Sequence, residues 1–434
     1  MIAQKPLIAR MRASRRLRRL IVIAACTLLA VIAWSGLAII ATLQGWGRQP
    51  LADAEPRAFM QAAVSQILAG HEGNVAFVLM EDGQVFDQHF ASKGKPVDRD
   101  TLFQVASLSK WVTAWGVLTL VESGRLDLDA PAETYLKRWR LPPSDFNREA
   151  VTIRRLLSHT AGLTDGLGYL GFAPGKPVQT LEASLSQAAD AAPGAGGAVK
   201  LGTEPGSRWR YSGGGYTLLQ LVIEEVTGEP FAIYMKRAVL DPLGMRRSTY
   251  RLGGADNLAT FYDADGSETP HYRYAATGAA SLYTSAADLT RFIQIHLPGP
   301  AGEPPGRGVL SPRTLELMRN PHAAQFGRDH WGLGLILYVP NGKGGFIIGH
   351  DGGNAPAINT SARFDPDSGD GIVVLETGDP SLASRLASEW TYWRTGEVGI
   401  PVQRILRRIS IGSIVLLLIG GAFEWRARRR PLAL

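Results

Sequence analysis

Hydrophobic positions are unevenly distributed along the chain. They form an unbroken run near each end; between the ends they make short β-favouring stretches, then helix-spaced patterns, then β-favouring stretches again. Residues 20–43 carry no charge, and about 24 apolar residues are enough to cross a bilayer as one helix. Residues 409–423, bracketed by Arg408 and Arg426, form a shorter run of about 15, which is read either as a short span with snorkelling arginines or as an interfacial helix. Between these runs, residues 59–69 have helical spacing. Residues 74–80 and 85–90 are β-rich and flank Glu81-Asp82-Gly83-Gln84, a hairpin signal. Helices are predicted from Ser107 to about Glu122, then over 151–157, 217–226, 230–240, 285–296 and 312–318. Ser285 would cap its helix, with Asp288 in capping-box position. Strands are predicted over 334–339, 345–349, 357–364 and 371–375, and residues 381–393 close with a helix. Strands at both ends and helices between imply one sheet built from the two ends of the chain, with a helical region inserted: an α+β architecture. Residues 164–200 and 251–275 read as long loops shaping a cleft.

The predicted organisation is a basic tail (1–19), a transmembrane helix (20–43), a linker (44–57), one globular domain (58–395), a linker (396–408), a second membrane segment (409–425) and a basic tail (426–434). Hydrophobic residues are 45% and charged residues 20% of the 434, as a packed core requires. The net charge of +7 suggests nucleic acid, but its distribution excludes it. Residues 1–19 hold seven basic side chains and no acid, and residues 404–434 add a net six, leaving roughly −6 for the middle, too acidic for a phosphate-binding surface. Basic clusters beside both apolar runs place both termini in the cytoplasm and the domain on the outer, periplasmic side of the inner membrane. The single cysteine, Cys26, excludes an internal disulfide. Ile23-Ala-Ala-Cys26 resembles a lipoprotein cleavage box, but its apolar flanks have the wrong lengths. A cleaved signal peptide is the other rival, with no clear cleavage site after the run.

The densest candidate chemistry is Phe103-Gln-Val-Ala-Ser107-Leu-Ser109-Lys110. Ser107 opens a helix, where helix capping alone would explain it. Lys110, three residues on, shares its face and can reach the hydroxyl. A serine hydroxyl becomes a nucleophile when a base takes its proton, and a lysine amine can be that base where burial or nearby cations lower its pKa. The Ser107 N–H, at a helix start, could help hold an oxyanion. A second Ser-x-x-Lys, Ser92 to Lys95, sits in a charged, glycine-bearing stretch and reads as a surface loop. His159, in Ser158-His-Thr-Ala-Gly162, has two readings: a catalytic histidine, or one that closes a loop by hydrogen bonds.

Together with Gly124–Pro131, Leu156–Leu163, Tyr211-Ser-Gly213, Asp241–Met245, Ala276–Asp288 and His350-Asp-Gly352, this stretch resembles the serine β-lactamase and penicillin-binding protein superfamily. The resemblance is to the class C β-lactamase and D-alanyl-D-alanine carboxypeptidase branch, which also contains esterases and D-aminopeptidases, and it covers about residues 59–393. It implies Ser107 as nucleophile, Lys110 as the base beside it, and Tyr211 as the tyrosine that exchanges protons with nucleophile and leaving group. His350 and Gly352 would form the third motif, and the N–H of Gly353 would be the second oxyanion donor. Glycine at 352 would let the substrate backbone lie against the strand. No cofactor or metal is implied, and the partners would be an ester, peptide or cell-wall-derived substrate and the membrane. One departure matters: the second motif is usually Tyr-x-Asn, and here Gly213 takes the third place. The lost amide contact points to esters over β-lactams and peptides. An asparagine restored at 213 should improve amide substrates if the backbone there admits a side chain. The alternatives are a carboxypeptidase, a β-lactamase, or a degenerate member that only binds cell-wall peptides.

Overall fold

The computed structural model describes residues 5–253, 257–354, 358–399 and 402–429, without the side chains of 5–16 and 402–404. The outermost parts of the expected basic tails, residues 400–401 of the expected second linker, residues 254–256 of an expected loop, and Ala357 of an expected strand lie outside these.

One compact unit is Pro50–Thr395. Its centre is an eight-stranded antiparallel sheet. The strands are β1 (Asn74–Glu81), β2 (Gln84–Ala91), β3 (Ala323–Gln325), β4 (Arg328–Trp331), β5 (Ile336–Pro340), β6 (Phe346–Asn354), β7 (Ile358–Phe364) and β8 (Gly371–Thr377). Their spatial order is β2-β1-β8-β7-β6-β5-β4-β3. The first hairpin therefore pairs with the last strand, Asn74 opposite Thr377, as the order of elements along the chain implied.

β1 explains why its run is apolar throughout. Ala76, Val78 and Met80 face one core, while Val75, Phe77 and Leu79 face another. A strand covered on both faces needs no polar alternation. The second core is completed by the helices Pro56–Leu68 and Leu382–Thr395, which precede and follow the sheet strands in sequence. The first is completed by the inserted helical region, above all Ser109–Glu122, which is buried on nearly every side. Each fully buried large apolar side chain contributes about 1.5–3 kcal/mol, so this helix is held by packing and not by an amphipathic stripe.

Three local expectations are corrected. The long loop 164–200 contains a short helix, Leu181–Ser186, capped by Thr180. Residues 251–275 contain a small ribbon pairing Phe261–Tyr262 with Glu268–Thr269. The helix expected over 230–240 is α-helical only over Phe231–Met235 and then widens to a π turn.

The second unit, Met1–Gln49 with Gly396–Leu434, is two helices, Lys5–Leu43 and Val402–Arg429. Their stretches Leu17–Leu43 and Ile405–Arg429 are long and apolar enough to cross a membrane. The expected tail at 5–19 and the linker at 402–408 are helical instead, because arginine is a good helix former and continues the adjoining run. The two helices pack antiparallel: the Trp34 indole N–H donates to the Arg408 carbonyl (3.1 Å), Arg408 donates to Thr42 Oγ1 (3.1 Å), and Gly420 lies against Thr27. Small residues at such contacts let helices approach closely.

Candidate active site

The chain enters the site through Phe103–Gln104, which pairs with Tyr283–Thr284. Ala106 then takes a positive φ of 44°, a strained conformation for a side-chain-bearing residue. A short 3-10 turn, Ala106–Leu108, carries Ser107 into the helix Ser109–Glu122. Ser107 does not cap that helix, whose start has no side-chain cap. The local hydroxyl bonds fall to Ser109, which donates to the Ala106 carbonyl (2.5 Å) and accepts from the Leu282 N–H (2.9 Å). The Ser107 hydroxyl is thereby left for another partner. That partner is Lys110, whose Nζ donates to Ser107 Oγ at 3.1 Å and to the Ala279 carbonyl at 2.7 Å.

Lys110 is 2% exposed, and burying a lysine is costly unless its N–H groups are paired. Beyond its two hydrogen bonds, it lies 5.1 Å from the ring centre of Tyr211 and 5.7 Å from that of Tyr216, within cation–π reach. Ser107 itself is only half-buried, among buried neighbours. The second Ser-x-x-Lys is a surface feature. Ser92 accepts from the Val97 N–H, Lys93 pairs with Glu72, and residues 92–96 are exposed.

Tyr211 precedes the helix Gly213–Thr227. Ser212 caps this helix by accepting from the Gly215 N–H (2.8 Å) and donates its own hydroxyl to Asp165 Oδ1 (2.6 Å). Asp165 also accepts from the N–H groups of Gly214 (3.1 Å) and Leu167 (2.9 Å). A buried carboxylate at a helix N-terminus is favoured by the unpaired N–H groups there. Sequence reasoning missed Asp165. The available signal was an acidic residue in the glycine-punctuated run Thr164-Asp-Gly-Leu-Gly168.

The same loop settles what Gly213 permits. A Cβ on Gly213 would lie 2.1 Å from the Leu167 carbonyl oxygen, so the backbone of the loop occupies the start of any side chain. The expected benefit of an asparagine here is therefore withdrawn: the obstacle is steric, and Ser212 cannot substitute, since its hydroxyl is already engaged.

His350 and Gly352 lie on β6. The β5 ladder ends at Gly349, and β6 runs on past it against the Ser107 turn. A Cβ on Gly352 would sit 2.0 Å from the Val105 carbonyl, so this glycine admits the turn that carries Ser107. Thr360, opposite Gly352 on β7, donates to that same carbonyl (3.0 Å). Gly353 is the exposed residue of the pair. His350 Nδ1 contacts the Asp351 carbonyl at 2.6 Å, which makes Nδ1 the N–H nitrogen. Burial, with a smaller contribution from the Lys110 charge, pushes the His350 pKa down to about 4, so the imidazole is neutral near pH 7.

His159 is also buried and held neutral, its pKa driven well below the ordinary value first by burial and then by Lys110. Its loop-closing role is the one found: its carbonyl accepts from the Arg210 N–H (2.8 Å) and its Nδ1 from the Ser212 N–H (3.2 Å). With both histidines held neutral, Lys110 is the side chain of this cluster that hydrogen-bonds the Ser107 hydroxyl. A half-buried hydroxyl, a buried amine and a phenol then converge beside an open strand end, an arrangement suited to acyl transfer through serine.

Comparison with known proteins agrees with this chemistry. The β-lactamase family profile matches residues 60–396. Esterase EstB of Burkholderia gladioli is 32% identical over 285 residues, spanning 57% of this chain and 69% of that one. Penicillin-binding protein 4 of Amycolatopsis lactamdurans is 28% identical over 299 residues, 66% of this chain and 74% of its own. Among solved structures, the octameric penicillin-binding protein homologue from Pyrococcus abyssi superposes with a TM-score of 0.63 at 25% identity, covering 79% of this chain and 78% of that one. A serine, lysine and tyrosine gathered beside an antiparallel sheet thus sit within a matched stretch that spans most of the chain, and the protein belongs to the β-lactamase family of serine hydrolases.

Proposed function

We propose that this protein is a membrane-tethered serine esterase whose acyl-enzyme forms on Ser107. The observation that carries the reading is the 3.1 Å contact between Lys110 Nζ and Ser107 Oγ, made by a lysine almost wholly withdrawn from solvent. Lys110 takes the hydroxyl proton as Oγ attacks the ester carbonyl. The oxyanion that forms is held by the N–H groups of Ser107 and Gly353. Tyr211 passes a proton to the departing alkoxide, leaving an acyl group on Oγ, and water then releases the acid by the reverse proton path.

Esters are favoured over amides because Gly213 offers no side-chain amide to grip an acyl-side amide. Losing one such positioning bond costs about 3–4 kcal/mol in the transition state, roughly a hundred- to a thousand-fold in rate. A neutral His350 adds to this preference, since it brings no charge to recognise a substrate carboxylate. The test is kcat/KM for p-nitrophenyl acetate, nitrocefin and a D-Ala-D-Ala peptide. The ester is expected to lead by at least about a hundred-fold. Preference for nitrocefin or the peptide would replace this reading with a β-lactamase or carboxypeptidase.

The tether is the pair of apolar helices, with both ends in the cytoplasm and the hydrolase domain in the periplasm, as the flanking arginines favour. A periplasm-active reporter fused after Leu434 should be silent and a cytoplasm-active one bright; the opposite pattern would reject the second span.

A further inference from the structure

His159 is a buried histidine that the acyl-transfer steps do not use. It takes a φ of 58°, in the left-handed region that residues with side chains rarely adopt. Its carbonyl accepts from the N–H of Arg210 and its ring nitrogen from the N–H of Ser212, the residues on either side of Tyr211. Its ring lies 4.5 Å from the Tyr211 ring, tilted by 39°. On its other sides are Tyr216 at 5.3 Å and the edge of Trp331 at 4.6 Å, so it fills the space between Tyr211 and the core.

We infer that His159 is a positioning residue for Tyr211: it clamps the backbone on both sides of the tyrosine and supports its ring, setting where that ring stands beside Lys110. This rests on the reading of Tyr211 as the proton carrier. The clamp needs a lone pair on Nδ1, which only the neutral imidazole has. The charged or titratable groups facing the ring are Lys110 from the Ser107 helix, His350 from β6, His330 from β4, and the phenols Tyr211 and Tyr216. Burial and the first three all favour the neutral form. The strained backbone fits the same role. With φ positive at 159, the carbonyl and the ring of one residue both meet the 210–212 segment, and asparagine is the residue that best combines this conformation with a short side-chain acceptor.

The experiment compares His159→Asn, His159→Phe and His159→Gly in the full-length protein, each alone and His159→Phe also in a Tyr211→Phe background, with p-nitrophenyl acetate as substrate. Phenylalanine keeps a ring and loses the acceptor; glycine relieves the backbone and serves if phenylalanine fails to fold. Both should lower kcat by about a hundred-fold with KM changed by less than about threefold, since a misplacement of about 1 Å costs this much. Asparagine should recover at least about tenfold of that loss. In the Tyr211→Phe background, His159→Phe should have no further effect on kcat, because the group it positions is gone. The inference is overturned by a folded His159→Phe or His159→Gly protein of normal kcat, by an asparagine variant as impaired as the others, or by a His159→Phe loss that is undiminished in the Tyr211→Phe background. A normal kcat for Tyr211→Phe alone would instead remove the parent reading of Tyr211.

Discussion

The two halves of the candidate site are assembled by different physics. The Ser107 half is local: three residues of helical spacing bring Lys110 to the hydroxyl, and the backbone of the same turn meets β6 at Gly352. The Tyr211 half is remote in sequence. Asp165 holds the start of the following helix through Ser212 and Gly214, and His159 binds the residues on either side of the tyrosine. A periodic spacing secures the proposed nucleophile and its proposed base, whereas the proposed proton carrier depends on a loop that must fold over it. Damage to the first half should appear in chemistry, and damage to the second in chemistry and stability together.

The largest effect is expected at the local half. Lys110→Arg replaces an amine that can take up the hydroxyl proton with a guanidinium that stays protonated, so kcat should fall by about a hundred- to ten-thousand-fold with little change in thermal midpoint. A normal rate would exclude Lys110 as the base.

His350, which the fold brings to the site on β6 from far along the chain, carries a pH signature. Below about pH 6.5 an unfolded chain protonates this histidine, while the folded site refuses the proton until about 4. The stability held above pH 6.5 is therefore lost as pH falls toward 4, by about 3 kcal/mol for a shift of this size. Glu81, pushed up to about 7 by burial, acts in the opposite direction over part of that range. The comparison is thus between wild type and His350→Asn by chemical denaturation at several pH values. The wild type should lose about 3 kcal/mol more than the variant between pH 7 and pH 4. Parallel curves would show that His350 is not held neutral.

At the remote half, Asp165→Ala strands the Ser212 hydroxyl and the Gly214 N–H, both buried. Unfolding free energy should drop by at least about 2 kcal/mol, with kcat falling alongside as Tyr211 loosens. Unchanged stability would mean that the loop does not clamp the motif. Gly213→Asn is the smallest of the four, about 1–3 kcal/mol of destabilisation from overpacking against the Leu167 carbonyl. Improved amide hydrolysis by this variant would show that the loop yields.

Much of the frame was legible in the sequence for reasons the structure makes plain. The all-apolar run at 75–79 and the later strands share one sheet, and their β character survives because both faces are covered. Ser107 with Lys110 was legible because helical spacing is local. The capping alternative for Ser107 failed because Ser109 makes the turn's bonds. Asp165 was not legible, since the helix groups it holds, Ser212 and Gly214, lie 47 and 49 residues away and nothing in its own neighbourhood is periodic. One demand for glycine at 352 was not legible for the same reason: it comes from the carbonyl of Val105, brought there only by the fold.

The most direct test of the central claim is intact-mass measurement after exposure to a fluorophosphonate, on wild type, Ser107→Ala and Ser92→Ala. Wild type and Ser92→Ala should each gain the mass of one phosphonyl adduct, and Ser107→Ala should gain none. An adduct of equal yield on Ser107→Ala would place the nucleophile elsewhere and contradict the assignment.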